Sequence, residues 1–168
     1  MDFLRGRRAD WDGRWLRDIR AWDDIRLERD HHYIQWLFPL NTESEAVFAP
    51  MLREFEVEEL RNDPALREQM IFSLCRMLAF YGFVLRTEDD QIAVLPSERQ
   101  RERLGVWMTP ENHNYLRISR ILGSLRLAGL DEYAGAFLEA LERLYKTPEG
   151  QAAIDGVAMW YWRGRASK

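Results

Sequence analysis

Three histidines, a single cysteine and a large excess of arginine are the side chains through which this 168-residue chain could do chemistry. Glu28, His31 and Gln35 stand at i, i+3 and i+7, so on a helix they form one stripe. Glu28-x-x-His31 is also the spacing that carboxylate-bridged di-metal bundles use, but such a site needs a second copy of the motif and two more carboxylates on facing helices. The third histidine, His113, follows a proline rather than a glutamate at the required position, Pro110. His31 therefore reads as a hydrogen-bonded structural histidine at the edge of the core, and His32 as a solvent-facing one. Cys75 lies between Leu74 and Met77 on an apolar helix, where a buried, inert thiol is expected. Nothing local supports a nucleophile pair of His31 with Cys75 or a serine.

A second polar stripe runs through His113, Arg117, Arg120 and Ser124, at i, i+4, i+7 and i+11. It borders an apolar arc of Tyr115, Ile118, Ile121, Leu122 and Leu125. Asn114 projects into that arc, so its amide should be buried and satisfied by neighbouring backbone. The stripe is either a solvated helix edge with arginines paired elsewhere, or an anion site in which two guanidinium groups one turn apart clamp a carboxylate or phosphate. Both polar stripes flank apolar arcs, and packing the arcs together would bring the stripes side by side. Glu28 would then pair with Arg117 or Arg120 across a helix–helix groove. The candidate ligand-binding set is Glu28, His31, Gln35, Trp36, His113, Asn114, Arg117 and Arg120, with Tyr33 as a further aromatic neighbour. No catalytic residue, metal ligand or cofactor is assigned.

The elements that must position these residues are helical. A first helix is expected over about Trp11 to Ala21, behind a short, frayed arm at residues 1–9. Asp23 or Asp24 caps a second helix that continues to Pro39, because proline ends a helix just before itself. A third helix lies between Pro50 and Asn62. Asp63-Pro64, Thr109-Pro110 and Thr147-Pro148 each join a capping side chain to proline at a first helical position. They predict helices ending at Gly82, at Gly129 and near the C-terminus; Asp131 caps another between them. Phe83–Leu85 and Ile92–Leu95 flank Thr87–Gln91 as either a hairpin or a loop, and a short helix covers Ser97–Leu104. The fold class is thus all-α, a single-domain bundle of about eight helices over 10–168 with at most one small β-hairpin near 83–95. The helices at Asp63–Tyr81 and Pro110–Leu127 carry the widest apolar faces and should be the central pair.

Composition narrows the function classes. Hydrophobic residues at 46% and charged residues at 31% describe a globular chain. No apolar stretch approaches a membrane span, and the basic start Met1–Arg8 lacks an apolar segment behind it, so a soluble, cytoplasmic protein is expected. One cysteine fits a reducing compartment. A net charge of −4 argues against nucleic acid as the main partner, although Trp160-Tyr161-Trp162-Arg163-Gly164-Arg165 interleaves aromatics with arginines, as single-strand binders do. The plainer reading of that tail is a last helix docking its tryptophans on the core. Only Lys146 and Lys168 are lysines among 24 Lys and Arg, a bias expected of GC-rich coding.

Three blocks place the chain in a family. Leu27-Glu28-Arg29-Asp30-His31-His32-Tyr33-Ile34-Gln35-Trp36-Leu37-Phe38-Pro39, Met77-Leu78-Ala79-Phe80-Tyr81-Gly82, and His113-Asn114-Tyr115-Leu116-Arg117-Ile118-Ser119-Arg120-Ile121-Leu122 occur in that order. Together they resemble the conserved N-terminal region of the opioid growth factor receptor family. The resemblance runs from about Trp22 nearly to the C-terminus, with a weaker last match at Ala153-Ile154-Asp155. It implies a peptide ligand, since the vertebrate namesake binds methionine-enkephalin, and its motif includes the histidine, asparagine and arginine positions named above. The short, arginine-rich form, without a long C-terminal extension, looks bacterial. The expectation is a non-enzymatic binding module that takes a peptide or small anionic ligand in a helix–helix groove. The alternatives are a metal-dependent or hydrolytic enzyme using Glu28, His31 and His113, and a nucleic-acid-binding protein. Oligomeric state is not legible.

Overall fold

A computed structural model describes residues 1–44, 46, 48–89 and 91–166. Among them are ten helices and one two-stranded hairpin, an all-α fold with a small β excursion. The helices are α1 Leu16–Arg20, α2 Asp24–Arg29, α3 Ile34–Leu37, α4 Glu54–Asn62, α5 Pro64–Tyr81, α6 Gln100–Trp107, α7 Asn114–Leu127, α8 Asp131–Tyr145, α9 Pro148–Ala153 and α10 Gly156–Ala166. The strands β1 Phe83–Glu88 and β2 Gln91–Pro96 lie between α5 and α6 and pair antiparallel, Phe83 opposite Pro96 and Glu88 opposite Gln91. Asp90, in the expected turn, is outside the described residues, as are Ser167 and Lys168.

Two of the proline signals open helices as expected. Asp63 Oδ1 accepts from Ala65 N at 2.9 Å and starts α5, and Thr147 Oγ1 accepts from Gly150 N at 3.0 Å and starts α9. These bonds satisfy amides that the first helical turn leaves orphaned. At the other end of α5, Gly82 takes φ +87°. A Cβ there would also lie 2.7 Å from Gln100 Cα, so only glycine can end the helix under α6.

Several sequence expectations are corrected, among them the single last helix from Thr147-Pro148, which divides into α9 and α10 at Ile154-Asp155. The first helix does not begin at Trp11. Asp10 Oδ1 instead accepts from Asp12 N and Arg14 N, and Gly13 at φ +76° completes a turn, so α1 starts only at Leu16. The second helix does not run unbroken to Pro39. Asp30 adopts an extended conformation and its Oδ1 accepts from His32 N at 2.9 Å, a side-chain turn that competes with the helix and divides it into α2 and α3. Thr109-Pro110 opens a turn rather than a helix, because Glu111 sits at φ +57°; α7 begins four residues later, with Asn112 Oδ1 accepting from Asn114 N. Cys75 is exposed, on the solvent side of α5. At the start of the chain, where a frayed arm is expected, Phe3 and Leu4 are buried in the core. Arg5 there bridges Glu59 and Asp63, both at 2.7 Å.

The core is one continuous cluster. The expected central pair, α5 with α7, is replaced by a different arrangement: α7 packs chiefly on α8 and α10, while α5 packs on β1, α6 and α4. An aromatic relay joins the two halves. Trp107 at the end of α6 places its ring edge-on to Tyr81 of α5 (5.3 Å between centroids) and to Tyr115 of α7 (6.4 Å), and its Nε1 donates to Tyr81 O at 3.0 Å. Tyr115 in turn meets Trp162 of α10, whose Nε1 donates to Tyr115 O at 3.1 Å. In the tail only Trp162 docks on the core; Trp160 is 69% exposed. No helix among the described residues is long and apolar enough to cross a membrane.

Candidate functional site

Breaking the second helix after Arg29 frees the carbonyls of its last turn, and an uncompensated helix end facing the core is costly. Arg117 of α7 supplies the donors. Its Nη1 donates to Leu27 O at 3.0 Å, and its Nη2 to Asp30 O at 2.6 Å and Glu28 O at 3.3 Å. The guanidinium is only 4% exposed, lies over the Tyr33 ring at 5.4 Å and also meets the negative end of the α2 dipole. On the opposite side of the same turn, Arg14 donates to Asp30 Oδ2 at 2.8 Å and to His32 O at 3.1 Å, while Asp10 holds it at 2.6 Å. Two buried arginines therefore fix the Asp30–Tyr33 turn from both faces.

This turn is what presents the histidines. The His31 and His113 rings meet edge to face, 4.8 Å between centroids. His113 Nε2 lies 3.4 Å from Glu28 Oε1, and Arg117 Nη1 lies 4.0 Å from Glu28 Oε2. Of the expected facing of Glu28, His31 and Gln35 with His113, Arg117 and Arg120, the structure brings Glu28 to His113 and Arg117 and His31 to His113, while Gln35 and Arg120 are engaged elsewhere. The helical stripe that motivated it is corrected, since Glu28 lies on α2, His31 in the turn and Gln35 on α3. Gln35 turns back, donating to His31 O at 3.2 Å. Trp36 packs edge-on against Phe3 at 5.2 Å, at the side of the site. His31 is exposed, outside the core edge expected of it, and His32 is exposed as expected, with its ring beside Trp11.

Asn114 is fully buried, as its position predicts, but side chains rather than backbone satisfy it. Its Nδ2 donates to Glu28 Oε2 at 3.1 Å and to Asn112 Oδ1 at 2.9 Å, and its Oδ1 accepts from Arg117 Nη1 at 3.1 Å. One amide thus orients both the acid and the arginine. Burial lowers the His113 pKa, Arg117 and His31 lower it further, and Glu28 opposes them. The surroundings thus favour the neutral imidazole.

The remainder of the second stripe is structural in contact. Ser124 Oγ donates to Pro39 O at 2.7 Å, and Arg120 reaches Phe38 O through one long bond of 3.4 Å. The α7 stripe is neither a solvated edge nor, at Arg117, a free clamp: it ties the chain from Leu27 to Pro39 onto α7 through main-chain carbonyls. Among the described residues no group of three or more His, Cys, Asp or Glu side chains is disposed to hold a metal ion.

Arg14, Asp10 and Asp30 belong to this site and were missed in the sequence. The i, i+4 spacing of Asp10 and Arg14 was the available signal, but it marks a helix as readily as a turn. Also missed was the exposed pair Trp11 and Phe48, with centroids 5.3 Å apart beside His32 and Phe48 in the left-handed region at φ +61°.

The fold and site define a small helical domain in which a broken helix, carrying a Glu–turn–His segment, is pinned by an arginine of a longer helix. Glu28, His31 and Arg117 fall within the segment shared with one family, and the chain belongs to it: the family model described as "Opioid growth factor receptor (OGFr) conserved region" matches residues 14–159. The chain is similar to the opioid growth factor receptor of Rattus norvegicus, 36% identical over 151 residues, which are 85% of this chain and 26% of that protein. It is 34% identical to that of Homo sapiens over 151 residues, covering 85% and 22%. It is also 33% identical over 111 residues to opioid growth factor receptor-like protein 1 of Xenopus tropicalis, covering 66% and 21%. The chain thus spans about a quarter or less of the curated relatives it matches. No solved structure matches it significantly.

Proposed function

We propose that the domain is a non-enzymatic peptide-binding module whose site is the mouth formed by Glu28, His31 and His113, with Asn114 and Arg117 behind and Gln35 and Trp36 beside it. One observation carries the reading: the Glu28 side chain is 26% exposed, while Asn114 and Arg117 behind it are buried and bonded to their neighbours. Arg117 sits 4.0 Å away with its Nη donors engaged by carbonyls, so it makes no direct hydrogen bond to the Glu28 carboxylate. A carboxylate beside the His113 imidazole, which the His31 ring meets in turn, suits a cationic group, and a peptide's terminal ammonium supplies one together with main-chain donors. The exposed Trp11–Phe48 pair, past His32, offers an aromatic surface for an adjoining side chain. Family membership supports a binding role, since the relatives are named as receptors.

The test is calorimetric titration of short peptides with free and with acetylated N-termini into wild type and Glu28→Gln. Free-amine peptides should bind wild type, and acetylation or Glu28→Gln should each weaken binding roughly tenfold, the worth of one charge-assisted contact. Equal binding of free and acetylated peptides would remove Glu28 as the recognition group. Metal retained in stoichiometric amount through purification would favour the enzyme reading instead.

A further inference from the structure

We propose that Arg120 of α7 and Arg165 of α10 form a second binding site, for a phosphate dianion. Gly123 makes the juxtaposition possible. A Cβ at that position would lie 3.3 Å from Arg165 Cδ and 3.9 Å from its Nη1, so the Arg165 side chain crosses α7 over a residue that has no side chain of its own. Gly123 follows Arg120 by three residues, on the same face of α7, and the two guanidinium groups therefore share one patch. The frame beneath them is firm. Trp162 is bonded to Tyr115 O, and Arg126 Nη1 donates to Ala166 O at 2.7 Å, which fixes the C-terminal half of α10 along α7.

The patch differs from the arginine sites at Arg14, Arg76, Arg103, Arg126 and Arg20. Arg14 has Asp10 and Asp30, Arg76 and Arg103 share Asp24, and Arg126 has Asp131. Arg20 has no acid, but Gln69 and Ser73 take its donors. Arg120 is half-buried with a single long bond to Phe38 O, Arg165 is exposed, and neither has an acidic partner among the described residues. Burial and the neighbouring Arg165 both lower the Arg120 pKa, as expected of two like charges held together. Two uncompensated guanidinium groups match an anion of two charges, and their planar donor forks match tetrahedral oxygens. A carboxylate would leave one charge over. The site lies a helical turn beyond Arg117, whose donors are engaged, and is independent of the Glu28 mouth.

The experiment compares thermal melts and calorimetric titrations of the full chain in inorganic phosphate, sulfate, acetate and chloride at matched ionic strength. Phosphate should raise the wild-type melting temperature saturably, by mass action, and acetate should not. Arg165→Ala should weaken phosphate binding roughly tenfold or more, and Arg165→Lys should recover part of it. In chloride, Arg165→Ala should melt at or above wild type, because a like charge has been removed. Three results would each overturn the proposal: phosphate acting no differently from chloride, equal phosphate affinity in Arg165→Ala, or Arg165→Ala melting well below wild type in chloride. Acetate binding as tightly as phosphate would reject the dianion.

Discussion

Replacing Arg117 with alanine removes donors from Leu27 O, Asp30 O and Asn114 Oδ1, and a weaker one from Glu28 O. Hydrogen bonds to charged groups are worth about 1.5–3 kcal/mol each, and acceptors left buried lose that and their desolvation cost as well. Three such bonds would sum to roughly 6 kcal/mol, but the variant also regains the cost of burying a guanidinium, so about 3–5 kcal/mol is expected, the range for breaking a buried charged network. Against a total stability of about 5–15 kcal/mol, that is a large fraction. For a chain of this length it corresponds to a fall in melting temperature of about 10 °C. Arg120→Gln is the matched control, since it loses only one bond of 3.4 Å and should change stability by no more than about 0.5 kcal/mol. Urea unfolding of both variants measures the difference, and hydrogen exchange locates it: the amides of His32 to Phe38 should lose protection selectively in Arg117→Ala. An Arg117→Ala variant within about 1 kcal/mol of wild type would refute the argument that this side chain closes the end of α2.

Three further outcomes follow from the same contacts. Gly82→Ala should destabilise by roughly 2 kcal/mol or more, because its backbone is left-handed and a Cβ meets Gln100 Cα at 2.7 Å; Gly135→Ala, with open space around it in α8, should stabilise by about 0.5–1 kcal/mol in the same denaturation assay. The folded-state pKa of His113 is depressed, so the unfolded chain takes up the proton first as pH falls; stability should be fullest above the ordinary histidine pKa of about 6.5 and decline below it, and His113→Gln should flatten that slope in melts from about pH 7.5 to 5. Trp162→Ala should cost about 3–5 kcal/mol through lost packing and its bond to Tyr115 O, whereas Trp160→Ala, at a site 69% exposed, should stay within about 0.5 kcal/mol; comparable losses would contradict the docking of α10 described above.

Local signals in the sequence were sufficient wherever a single residue's chemistry closes a single turn. Asp63-Pro64, Gly82 and Thr147-Pro148 mark their helix ends because caps and left-handed glycines act within a few residues, whereas Phe83–Leu85 and Ile92–Leu95 fit a hairpin or a loop equally until the strands pair. The approach of Glu28 and His31 to His113 and Arg117 was expected from two packed helical arcs, but it arises instead from the turn at Asp30–Tyr33 that Arg117 holds. What the sequence could not decide was where a helix yields to a competing turn. Asp30 and Asp10 offer side-chain turns that a helix normally outcompetes, and they prevail here because Arg14 and Arg117, remote in sequence, satisfy the carbonyls and carboxylates that the break exposes. Long-range contacts also make Arg117 a structural tie, neither the solvated edge nor the clamp between which the sequence left the choice, and set Arg165 beside Arg120 across Gly123. Periodicity reports which face of an element is apolar; which polar groups find each other, and at what burial, is settled only when the chain closes on itself.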